Sequence, residues 1–138
     1  IFAAQDTHGP DYLTTQEGRN LPVEHCVEGT EGWELDVSVQ AALAGRDEGV
    51  ICVSKNVFGS RAMAEYLAGV SEETPIEEIQ LIGLCTDICV ISNAMILRSF
   101  LPEVKIVVDA KCCAGVTPES HANALQAMKA CQIQIINE

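Results

Sequence analysis

Short apolar runs rich in β-branched residues recur along the chain at 1–5, 50–54, 78–84, 105–109 and 132–137. Between them Leu, Ala, Met and Ile return with helical spacing over 34–44, 60–68, 87–101 and 118–130, and Pro118 stands where a first helical turn tolerates it. Strands that read as continuous apolar runs and alternate with helices predict an α/β fold in which a parallel sheet is covered on both faces. No internal repeat or low-complexity tract interrupts this pattern. One stretch departs from it: residues 7–30 hold few apolar positions and two prolines, Pro10 and Pro22, and run longer than structureless connections usually do. Loops of that length tend to carry function.

Composition narrows the possibilities. The chain has 138 residues, 48% of them hydrophobic, enough for one domain with a sizeable core and without the unbroken stretch of about 18 apolar residues that a membrane span needs. A formal net charge of -12, with only eight Lys and Arg in total, leaves no basic patch to neutralise phosphates, so nucleic acid is excluded as a partner and a small molecule is expected. Seven cysteines with no visible secretory leader do not make an even disulfide framework, which points to a reducing, cytoplasmic setting.

Two groups of residues carry candidate chemistry. At 83–90 the chain reads Gly-Leu-Cys-Thr-Asp-Ile-Cys-Val, joining an apolar run to a helical segment and placing Cys89 in the first helical turn. Unpaired N–H groups and the positive end of the helix dipole favour thiolate there and can receive an oxyanion, although a lone cysteine is more often an inert small hydrophobe. Cys85 and Cys89 could suggest structural zinc, but no second close cysteine pair with metal-finger spacing accompanies them, Cys112 and Cys113 being adjacent. The second group lies in the long loop: Asp6, His8, Glu17 and His25 offer the oxygen and nitrogen donors that zinc, iron or manganese accept, against the plainer reading of solvated surface side chains. Lys55 ends a predicted strand, where ligand sites of open α/β sheets gather, though an isolated lysine there is usually only solvated.

The segment at 83–90 resembles the nucleophile motif Gly-x-x-Thr-Asp-x-Cys-Val of the isochorismatase-like cysteine hydrolases, the superfamily that includes nicotinamidases and pyrazinamidases. Asp6-Thr7-His8 is similar to the nicotinamidase metal motif Asp-x-His, and Leu21-Pro22-Val23-Glu24-His25-Cys26-Val27-Glu28-Gly29-Thr30 to its Trp-Pro-x-His-Cys-x-x-Gly-Thr. Val108-Asp109-Ala110-Lys111-Cys112-Cys113-Ala114-Gly115 and the helix that follows resemble the closing part of the same fold, so the likeness covers nearly the whole chain.

The resemblance implies a three-layer α/β/α domain over 1–138 with a parallel sheet of order 3-2-1-4-5-6. It implies Cys89 as nucleophile, Lys55 as the ammonium that holds its thiolate, the backbone N–H groups of Cys85 and Cys89 as the oxyanion hole, and a cis peptide between Leu84 and Cys85. Asp6, His8 and His25 inherit the role of ligands to a divalent metal, zinc first and iron or manganese as alternatives, with Glu17 a weaker fourth; the metal would hold a pyridine nitrogen. The implied activity is hydrolysis of nicotinamide to nicotinate and ammonia through a thioester, a step in NAD metabolism, by an enzyme that forms homo-oligomers. His121 is given no chemistry.

Two departures keep other readings open. Leu21 stands where the family has a ring-stacking Trp, which leaves a related hydrolase of another small amide or ureido compound as the alternative. The family's opening strand and helix, with the Asp that shuttles the proton, have no counterpart in these residues; we expect the functioning protein to carry them, and a non-catalytic metal-holding relative is the reading from a different class. True isochorismatases, which cleave a vinyl ether, lack the cysteine found at position 89.

Overall fold

Parallel pairing organises both halves of the computed structural model, which describes residues 1–46 and 49–138. These divide into two compact units, Ile1–Val57 and Phe58–Glu138. In the first, β1 (Phe2–Asp6) and β2 (Ile51–Lys55) run parallel in register from Phe2 opposite Ile51 to Asp6 opposite Lys55. The ladder continues one step as Thr7 N–H donates to the Lys55 carbonyl at 2.7 Å, which fixes the direction in which the chain leaves β1.

The long loop after β1 is more regular than its composition suggests. It holds a 3-10 turn at Tyr12–Thr14 and a short helix α1 (Gln16–Asn20), capped by the Thr15 hydroxyl accepting from Gly18 N–H at 3.0 Å. The chain then returns beside its own start: His8 N–H donates to Cys26 O and Glu28 N–H to His8 O, both at 2.9 Å, an isolated parallel bridge between His8 and Val27. A further 3-10 turn at Glu31–Trp33 leads to α2 (Val37–Ala44). That helix starts later than the expected 34, because the Asp36 side chain accepts from Ser38 N–H at 2.8 Å and so serves as N-cap.

In the second unit β3 (Glu78–Leu84), β4 (Lys105–Ala114) and β5 (Gln134–Ile136) form a parallel sheet in the order β3-β4-β5. The pairings in the two sheets are those that the order 3-2-1-4-5-6 gives its second and third strands and its fourth to sixth. Helices α3 (Arg61–Glu73), α4 (Ile91–Phe100) and α5 (Pro118–Ala130) alternate with the strands. Leu97, Ile106, Val108 and Met128 are the largest wholly buried apolar side chains here, each contributing about 1.5–3 kcal/mol by leaving water.

Among the other element ends that differ from expectation, two have identifiable reasons. The expected strand 105–109 extends to Ala114, because a bulge lets Gly83 pair with Cys113 after Leu81 has paired with Val108. Lys111, Cys112 and Cys113 therefore belong to a strand that their polarity disguised. Helix α3 passes through Gly69 to Glu73, where the expectation stopped at 68; a glycine inside a helix weakens it without ending it, and Pro75 supplies the stop. Helix α5 has the bounds its pattern predicted, with Pro118 in its first turn and a capping box between Thr117 and Ser120.

Candidate functional site

The first unit draws four polar side chains together. One donor atom from each of Asp6, His8 and His25 lies within 4.8 Å of the others, the spacing of ligands around a common ion. Asp6 ends β1, His8 follows two residues on, and the returning loop brings His25 beside them, so the strand end and the His8–Val27 bridge together make the cluster. From α1 the Glu17 carboxylate adds an oxygen 3.7 Å from Nε2 of both histidines, too long for hydrogen bonds to either.

The imidazoles are set up to present lone pairs. His25 Nδ1 lies 2.9 Å from the Val23 carbonyl, which can only accept, so Nδ1 carries a proton and the Nε2 lone pair is the one that can bind a metal ion. His8 is buried, and its Nε2 has no hydrogen-bond partner, the only such buried side-chain atom among the described residues. Leaving a buried polar atom unsatisfied costs about 1–3 kcal/mol, and a cation bound by these donors would relieve it. The donor set, one carboxylate and two imidazoles with a second carboxylate at hand, suits zinc, iron or manganese.

Lys55 belongs to the same unit and is not the solvated lysine that its position alone suggests. Its side chain is only 5% exposed, its ammonium pairs with the Asp6 carboxylate, and it also donates to the Val57 carbonyl at 3.3 Å. Such a charge is buried only because it is paired. Cys26, next to His25, is half-buried; burial pushes its thiol up, the Asp6 charge adding to this and Lys55 opposing it.

Tyr12, which the sequence did not single out, fills the space behind the histidines. Its ring centroid lies 4.8 Å from that of His8 and 5.0 Å from that of His25. Burial pushes its hydroxyl up, and the charges of Glu17 and Asp6 push the same way. Trp33 also joins this unit: its indole N–H donates to the Thr7 hydroxyl at 2.9 Å, while Gln5 Nε2 donates to the Trp33 carbonyl at 2.6 Å.

The second unit carries Cys85 and Cys89. The Leu84–Cys85 peptide is cis, as expected, and the next residues, Thr86–Val90, form a π-helical turn that runs into α4. Cys89 sits half-buried in that turn, and no disulfide joins any of the seven cysteines. Ile88 N–H and Val90 N–H both donate to the Cys85 carbonyl at 3.1 Å, and Asn93 Nδ2 donates to the Cys89 carbonyl at 2.8 Å.

Around this turn the structure adds residues that pattern reading passed over. Thr86 is wholly buried, with its hydroxyl 2.8 Å from His121 Nδ1. The Ser120 hydroxyl holds the Asp87 carboxyl below its ordinary range, with help from Val116 N–H at 3.0 Å and the charge of His121, against the opposing effect of burial. Buried Asn93 accepts from Ser60 N–H at 2.9 Å and donates to the Phe58 carbonyl at 3.2 Å as well as to Cys89. A short polar side chain four residues after Cys89, on the face that α4 buries, was the available signal for it.

Comparison with known proteins bears on the family and the fold. A family model described as the isochorismatase domain matches residues 1–137. Among solved structures, the nicotinamidase/pyrazinamidase PncA from Bacillus subtilis superposes with a TM-score of 0.83 at 27% identity, covering 99% of this chain and 74% of that one. The pyrazinamidase of Pyrococcus horikoshii in complex with zinc gives 0.75 at 21% identity over 100% and 75%, and PnC1 from L. infantum in complex with nicotinate gives 0.75 at 17% over 99% and 70%. The last two speak for the fold alone. No curated protein matches the chain. No described helix is long and apolar enough to cross a membrane. With a matching family model over all but its last residue, this chain belongs to the isochorismatase family.

Proposed function

We propose that this protein is a cysteine-dependent amidohydrolase whose substrate is nicotinamide, acting through one hydrolase domain spanning residues 1–138. The observation that carries the reading is the donor cluster of Asp6, His8 and His25, with the unsatisfied Nε2 of buried His8 at its centre. A pyridine amide offers a ring nitrogen to an ion held there, which an acyclic, non-heteroaromatic amide does not. A divalent ion bound by Asp6, His8 and His25, with Glu17 beside them, would supply a Lewis-acid contact that orients the ring.

The chain's own residues divide the chemistry as follows. The Cys89 sulfur, as thiolate, adds to the carboxamide carbon; Lys55 is the cation that supports the thiolate, and the backbone N–H groups of Cys85 and Cys89 donate to the carbonyl oxygen as it gains charge. The C–N bond then breaks, the nitrogen leaves as ammonia with the proton that the Cys89 thiol gave up, and a thioester remains on Cys89. Water attacks the thioester, releasing nicotinate and restoring the thiol. In this reading the enzyme works in the cytoplasm as a homo-oligomer and returns nicotinate to NAD metabolism.

A second reading, hydrolysis of another small amide or ureido compound, is favoured by Leu21, which is half-exposed where a ring-stacking indole would be wanted. Ammonia release from nicotinamide by the purified protein separates the two. Loss of release on Cys89→Ala, and on chelation with recovery when zinc, iron or manganese is returned, supports nicotinamidase. Turnover of aliphatic amides or ureido compounds that persists in chelator, with none of nicotinamide, supports the second reading. No release from any of these with metal-loaded protein would refute both.

A further inference from the structure

Tyr12 stands at the meeting point of the elements that carry the imidazoles and Glu17. It is wholly buried, and among the described residues of the first unit it is the only hydrophobic side chain that is. Its ring meets His8 at an interplanar angle of 57° and His25 at 79°, while the two imidazoles are 4.8 Å apart and 69° to each other. Edge-to-face packing of this kind fixes ring orientation as well as distance. Each histidine therefore has one of its sides set by the tyrosine.

The polar atoms of Tyr12 hold the other approaches. Its hydroxyl donates to the Leu21 carbonyl at 2.9 Å, anchoring the start of the segment that delivers His25. Its main-chain carbonyl accepts from the Thr15 hydroxyl at 2.7 Å and from Thr15 N–H at 2.9 Å, and Thr15 is the cap of α1, which carries Glu17. Gly18 lies so close to that carbonyl that any Cβ would overlap it, so α1 has no freedom to slide.

We propose that Tyr12 is a positioning residue for a divalent-cation site, its ring and its two oxygens aiming Nε2 of His8, Nε2 of His25 and the Glu17 carboxylate at one point. The inference rests on the metal reading given under the proposed function and deepens it. It adds to the usual support of a metal-bound histidine, the hydrogen bond to its second nitrogen that the Val23 carbonyl gives His25, an aromatic ring shared by two ligands.

The test is direct metal binding, independent of turnover. Metal-free protein is titrated with Co2+ and Zn2+ by calorimetry, and the visible spectrum of the Co2+ form is recorded, for wild type, Tyr12→Leu and Tyr12→Phe. Tyr12→Leu is expected to bind about 10–100-fold more weakly, the range seen when support behind a metal ligand is removed, and to shift the Co2+ bands. Tyr12→Phe keeps the ring and loses only the Leu21 tether, so it should restore the bands and most of the affinity. Circular dichroism of the metal-free forms reports folding, and if Tyr12→Leu does not fold, a several-fold weakening in Tyr12→Phe decides. Variants that bind Co2+ with wild-type affinity and spectrum would overturn the role of Tyr12 while leaving the metal reading intact. A wild-type protein that takes up neither ion would refute both.

Discussion

Asn93 offers the sharpest test of how the Cys89 turn is held. The partners assign its amide: the oxygen faces Ser60 N–H at 2.9 Å, and the nitrogen faces the carbonyls of Cys89 at 2.8 Å and Phe58 at 3.2 Å. Asn93→Ala leaves the buried Ser60 N–H without its acceptor, a loss of about 1–3 kcal/mol, and removes a donor from two carbonyls at roughly 0.5–1 kcal/mol each. Alanine is the better helix former by about 0.5 kcal/mol, which offsets only a fraction. The expected net destabilisation is about 3 kcal/mol, or a fall of about 10 °C in melting temperature for a chain of this size. Urea unfolding at pH 7 measures it, with the midpoint falling at unchanged slope. Asn93→Asp distinguishes lost hydrogen bonds from lost volume: its carboxylate still accepts from Ser60 but confronts two carbonyl oxygens, so it should be no more stable than alanine at pH 7 and recover once protonated. An Asn93→Ala protein within about 0.5 kcal/mol of wild type, or an Asn93→Asp protein equal to wild type at pH 7, would refute the reasoning.

Two further outcomes follow from the same turn. Asp87 has its folded pKa depressed, so its stabilising contribution is complete above the ordinary carboxylate value of about 3.9 and is lost as pH falls through the lower folded value; Asp87→Asn should lower the urea midpoint at pH 7, with the gap to wild type closing below about pH 4. An equal gap at both pH values would contradict the assignment. Gly115→Ala would set a Cβ 2.8 Å from His121 N and 2.9 Å from its Cα, which is helix backbone that cannot yield, so a loss of about 1–3 kcal/mol is expected in thermal melting. An unchanged melting curve would show that the loop has room to shift.

The alternation of strands and helices was legible because parallel strands announce themselves as apolar runs and helices as repeats of 3.6. Boundaries slipped where local chemistry competes with that pattern, as at Gly69 and across Lys111, Cys112 and Cys113. The short elements at Tyr12–Thr14 and Gln16–Asn20 were hidden because they bury little, and hydrophobic spacing registers only what is buried. Asp6, His8, His25 and Glu17 could be named from residue type and motif, but their convergence comes from the bridge between His8 and Val27, which no periodicity encodes. Lys55 shows the same limit: its burial follows from the Asp6 carboxylate 49 residues away in sequence. His121 looked like an ordinary residue of a helix's first turn, and only the fold brings it against Thr86.

Asp6 has two claims on a single carboxylate. It neutralises the buried ammonium of Lys55, and it is also one corner of the three-donor cluster. A divalent ion drawn to that corner would compete with the amine for the same negative charge, and thermodynamic reciprocity makes the competition run both ways: whatever loosens the lysine favours the ion, and loading the ion loosens the lysine. With an ion bound there, the occupancy of one position would thereby be felt at the other.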